Sequence, residues 1–210
     1  MDLWHHHSQS DQEGIMMENI TYGKSWFLAN RRFSEPWEES KARTAHEQRQ
    51  VYAAAISDGN RIVCVVTGLM QGFIVSFLDS LKREFLVYQF NEKAPERLFL
   101  SMLTRREFDG ETRRVKYGET YYFYPDGRIN IESEDFDSGQ RTREVTESAD
   151  VSANWEAYPE FGDYRSLTRP ERQVQIEHTP SLHLWALSDF STECQNERAS
   201  DQALQVIRFT

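Results

Sequence analysis

Tyr121-Tyr122-Phe123-Tyr124-Pro125-Asp126-Gly127-Arg128-Ile129-Asn130-Ile131 is the stretch that decides the fold class. Two aromatic and β-branched runs flank a Pro-Asp-Gly corner, and Asp and Gly tolerate the dihedral angles a tight turn demands. Alternate side chains of each run can then face a core, so the stretch reads as a β-hairpin.

The same grammar recurs on the N-terminal side of this hairpin. Residues 51–56 and 61–69 are apolar runs separated by Ser57-Asp58-Gly59-Asn60. Residues 72–78 and 84–90 flank Asp79-Ser80-Leu81-Lys82-Arg83, and residues 97–104 lead through Asp109-Gly110-Glu111 into 115–124. Beyond the hairpin, Asp137-Ser138-Gly139 separates 128–132 from 142–148. Strands at roughly ten-residue spacing, joined by polar turns and without crossover helices, pair in order as a meander. The expected fold is mainly β (α+β), an antiparallel meander sheet of about eight strands, curled or half-barrel, with one or two covering helices.

Ser34-Glu35-Pro36-Trp37-Glu38-Glu39 has the composition of a helix start, with a capping Ser, an early Pro and acids at the positive end of the dipole. It predicts a helix ending near His46. Residues 20–33 read as an opening strand or an irregular cover. In the tail, 173–177 and 183–187 read as strands, 191–204 as an exposed helix, and 206–209 as a strand returning to the sheet.

The sequence of 210 residues, 39% hydrophobic and 13% aromatic, is long enough to bury a sizeable core. Residues 1–15 carry three consecutive histidines in a polar leader, His5-His6-His7, and read as disordered or vector-derived, leaving 16–210 as a single globular domain. The formal charge of −10 argues against a nucleic-acid partner, which the average field would repel. No stretch reaches the roughly 18 apolar residues of a membrane span and no signal-peptide core is visible, so the expectation is a cytoplasmic protein without membrane association.

Sequence-local chemistry is sparse. The glycines form no phosphate-binding loop, the cysteines Cys64 and Cys194 stand far apart, and no zinc-ligand spacing or nucleophile elbow occurs. The expectation is therefore no metal, no cofactor and no catalytic residue that sequence can name. Were the chain an enzyme of unrecognised type, His46, His178 and His183 would be the first acid–base candidates.

Charge layout carries more. Between Glu132 and Asp163 stand ten acids and two bases, interleaved with aromatics in Trp155-Glu156-Ala157-Tyr158-Pro159-Glu160-Phe161-Gly162-Asp163. Rings supply desolvated contact area and carboxylates supply steering, which points to a surface for a basic protein formed by Trp155, Glu156, Tyr158, Glu160, Phe161 and Asp163. The competing readings of this tract are a loop whose rings tuck under the sheet, and internal pairing with the nine bases between Lys82 and Lys116.

The leading expectation is a non-enzymatic protein-binding module, an acidic inhibitor or immunity-type antidote of a basic toxin or nuclease. A second is an apolar-ligand binder whose curled sheet encloses Phe73, Phe77, Phe85, Tyr88, Phe99 and Tyr122. Open sheet edges also make a homodimer by strand pairing an expectation.

Overall fold

The computed structural model describes residues 19–170, Arg172, and the short strands at 175–176 and 205–206. Its strands are β1 (Asn19–Gly23), β2 (Trp26–Phe27), β3 (Arg32–Phe33), β4 (Pro36–Trp37), β5 (Tyr52–Asp58), β6 (Arg61–Leu69), β7 (Gly72–Leu78) and β8 (Glu84–Ala94). They continue with β9 (Arg97–Phe108), β10 (Val115–Phe123), β11 (Ile129–Asp135), β12 (Gln140–Thr146), β13 (Trp155–Ala157), β14 (Gln175–Ile176) and β15 (Gln205–Val206). Among the described residues there is one α-helix, α1 (Glu39–Glu47).

From β5 to β12 every strand pairs antiparallel with the next, giving the expected meander. β1 adds beside β5, and β4 adds beside β1. Among the described residues the sheet stays open, with β12 at one end and β4 at the other. β10 pairs with β9 only from Met102 onward, and β13 occupies the remainder of that edge opposite Arg97 and Phe99.

The turns explain why the register holds. In the founding hairpin Gly127 adopts φ 90°, its N–H donates to the Tyr124 carbonyl, and Tyr124 N–H donates to Arg128. A side chain there would be strained and would press on the Ala149 carbonyl. Between β7 and β8, Asp79 accepts the Leu81 and Arg83 N–H groups, while Arg83 reaches the Gly110 carbonyl of the β9–β10 turn at 2.7 Å.

Period-two alternation sends Tyr52, Ala54 and Ile56 of β5 to one face and Ala53 and Ala55 to the other. The first face carries the main core, in which Phe73, Val75, Tyr88, Phe90, Leu103 and Ile129 are fully buried. It is covered by Ala42, Ala45 and His46 of α1 and by the segment 151–170, which contributes Val151, Tyr164 and Leu167. The second face has a smaller cluster, Ala53, Ala55, Val65 and Leu78, beneath Trp26 and Phe33 of the β2–β3 hairpin.

The helix start differs from expectation. Glu38 is the N-cap, and Pro36–Trp37 are extended against Gly23 and Tyr22. An outermost strand tolerates a residue without an N–H, and Ser34 uses its hydroxyl on Ser25 at 2.7 Å rather than as a cap. At the other end, β15 pairs with β14 as a separate two-stranded sheet, so Val206 does not rejoin the main one. The helix expected at 191–204, the strand at 183–187 and the leader at 1–15 lie outside the described residues.

Candidate functional site

The segment singled out for its aromatics and acids forms a strap over the main core. Trp155 lies against Phe99 with ring centroids 4.9 Å apart, and the Arg97 guanidinium sits over the Trp155 ring, 4.8 Å from its centre. Tyr158 is held between Phe73, at 5.1 Å, and the Arg49 guanidinium, 3.6 Å from its ring centre. Phe161 stacks on Tyr22 at 5.0 Å and carries Arg43 over its ring. The three rings therefore face inward, as in the tucked-loop reading.

The acids divide in the same way. Glu156 is almost enclosed and contacts both Arg169 and Arg172. Asp163 pairs with Arg165, whereas Glu160 is exposed without an ion-pair partner among the described residues. Further back in the tract, Glu132 pairs with Arg143, Glu134 with Arg141, and Asp137 with Arg114. Much of the acidic excess is thus balanced locally, and Asp135 and Asp150 are engaged in accepting turn N–H groups.

Four of the six rings expected around an apolar ligand are buried in the packed core. Phe73, Phe77, Tyr88 and Phe99 are at most 3% exposed, and Phe77 meets Tyr88 edge to face at 5.2 Å. Phe85 and Tyr122 lie away from this group: Phe85 is 36% exposed, and Tyr122 points to the second face between the core residues Tyr121 and Phe123.

Beneath the strap runs a buried polar chain. His46 Nδ1 and the Tyr52 hydroxyl are 2.9 Å apart, and Tyr52 meets the Tyr164 hydroxyl at 3.0 Å. Gly68, opposite Tyr52 on β6, leaves room for the Tyr52 ring above its Cα. Burial lowers the His46 pKa and raises both phenols, so the neutral form of each is favoured. Cys64, likewise buried, has its thiol pushed up. These perturbed groups face a packed interior, which suits structure better than proton transfer to a substrate. His178 and His183 lie outside the described residues, and no group of three or more metal-ligating side chains occurs among the described ones.

Among the described residues, open surfaces lie at opposite ends of the sheet. At the β12 end no described segment covers the second face, which forms a groove of about 690 Å³ lined by Met102, Thr104, Tyr122, Glu132 and Arg143. β12 beside it is an edge strand with Val145 56% exposed. Among the described residues, Glu144 and Glu147 there have no ion-pair partner. At the β4 end a cleft of about 760 Å³ runs along β1 between Trp26 and Trp37.

Neither surface was evident from composition. The available signal at β12 was its lack of any alternating apolar face, Gln140-Arg141-Thr142-Arg143-Glu144-Val145-Thr146, which is the pattern of a strand buried on neither side.

No family model matches this chain. Comparisons with curated proteins and with solved structures give no match either. No helix of the described residues is long and apolar enough to cross a membrane.

Proposed function

We propose that this chain is a non-enzymatic protein-binding module that engages a basic protein, in the manner of an inhibitor or antidote, through the open edge of β12 and the adjoining groove. The observation that carries this reading is the pattern of charge after internal pairing. Arg141 and Arg143 are matched by Glu134 and Glu132 across the hairpin, leaving Glu144 on β12 and Glu147 just past its end without an ion-pair partner among the described residues. An edge strand offers main-chain N–H and C=O groups to an added strand, and side chains on its two faces set specificity. Val145 and Tyr122 supply the apolar contact, and the net charge of −10 steers a basic partner inward.

This reading moves the interface from the strap to β12. Trp155, Tyr158 and Phe161 are spent on covering the core, and Glu160 and Asp163 remain on the rim.

The test is affinity capture from a lysate of the source organism, comparing wild type with a Val145→Lys, Glu144→Lys variant. A basic protein retained stoichiometrically by wild type and lost by an equally stable variant supports the reading. Equal retention by both removes β12 from it.

A further inference from the structure

The cleft at the β4 end has the features of a second, independent peptide site. β4 covers β1 only at Tyr22 and Gly23, so the outer edge of residues 19–21 is unpaired among the described residues. Side chains flank this edge on both faces of the sheet. Ile20 and Trp37 lie on the core side, and Trp26 and Phe33 lie on the other. A compact small molecule would use one wall, whereas an added strand sends alternate side chains to both.

The electrostatics of this cleft oppose those of the whole molecule. Arg31 and Arg32 line it, are exposed, and have no ion-pair partner among the described residues. Its acid, Glu39, is neutralised by Arg43 at 2.7 Å, and nearby Glu35 is neutralised by Lys41 at 2.8 Å. Two arginines are thus left uncompensated on an aromatic wall in a chain of net charge −10.

Arg31 also occupies a conformation that its residue type does not favour. It stands in the left-handed region, φ 53° and ψ 40°, just after the short turn Leu28–Asn30. Glycine would adopt this geometry at lower cost. The position gives up backbone ease for a guanidinium at the mouth of the cleft.

We propose that the cleft binds an extended acidic peptide segment, added as a strand to the free edge of β1, with its apolar side chains between Trp26 and Trp37 and its carboxylates on Arg31 and Arg32. Guanidinium–carboxylate pairs are short, often bidentate and stronger than neutral hydrogen bonds. They read the charge while the β1 edge reads the extended backbone.

The experiment titrates the full chain into a fluorescently labelled octapeptide of alternating valine and glutamate, capped at both ends, and follows anisotropy together with tryptophan emission. A matched peptide of valine and lysine serves as the control. The acidic peptide is expected to bind saturably, to weaken as salt is raised, and to perturb tryptophan emission. An Arg31→Gly, Arg32→Ser variant should lose roughly tenfold or more in affinity. Because glycine suits φ 53°, this variant should melt no lower than wild type. Val145→Lys, at the far end of the sheet, should bind the peptide as wild type does. Absent binding, equal binding of the basic peptide, or affinity unchanged in the arginine variant would each overturn the proposal.

Discussion

Glu156 and Arg172 form an ion pair at 2.8 Å in which the two side chains are only 10% and 4% exposed. Arg169 joins the same carboxylate, and Arg172 also donates to the Ser166 carbonyl at 2.6 Å. The pair fastens the chain that follows the strap to β13, and it converts an apparent surface acid into an interior one.

Reversing Glu156 is therefore a stability mutation. Glu156→Lys leaves Arg172 buried against a like charge, and loss of one partner of a buried pair costs about 3 kcal/mol or more. Thermal melting should show a large drop. Replacing both partners together, Glu156→Leu with Arg172→Met, should restore much of it, because apolar substitutes remove both desolvation penalties.

Trp155→Ala should also act on stability. The ring lies against Phe99 and is only partly exposed, so its removal should cost about 2 kcal/mol in denaturant unfolding. Val145→Lys, on an exposed edge position, should leave the unfolding curve within about 0.5 kcal/mol of wild type. The opposite ranking would mean that the strap faces outward.

His46 gives the fold an acid-side limit. Burial among Tyr52, Tyr158 and Phe161 lowers its pKa from the ordinary 6.5, with Arg43 and Arg49 adding to the effect and the Pro159 carbonyl opposing it. The unfolded chain then binds a proton that the folded chain refuses. The stabilisation from neutral His46 is complete above about pH 6.5 and is lost as pH falls below it, by at most about 1.4 kcal/mol per pH unit. Denaturant titrations across this range should show the slope in wild type and a shallower one in His46→Gln.

Gly68 tests the packing that positions this histidine. Gly68→Ala would press a methyl group into the Tyr52 ring and move the hydroxyl that His46 contacts. Overpacking of this kind costs about 1–3 kcal/mol. A Gly68→Ala protein with wild-type melting would contradict the close approach.

The meander was legible in the sequence because its information is local: Asp-Gly, Asn and Ser corners set the turns, and alternation along 51–132 sets the faces. The helix start was misread for the same reason. Ser34, Pro36 and the following acids satisfy helix rules, yet Pro36 and Trp37 serve β4, whose partner β1 lies over ten residues upstream. The strap shows the limit most clearly. Its composition records rings and acids but not which way they face, and that direction is set by Arg43, Arg49, Arg97, Arg169 and Arg172, mostly remote in sequence. Arg31 and Arg32 were equally silent, since the β1 edge they flank exists only once β4 stops short of its end.

Backbone hydrogen exchange of the full chain, alone and with the captured basic partner, locates the interface. Protection concentrated in 140–146, with exchange in 155–163 unchanged, is the result the β12 edge predicts. Protection confined to 155–163 while β12 exchanges as in the free protein would contradict it.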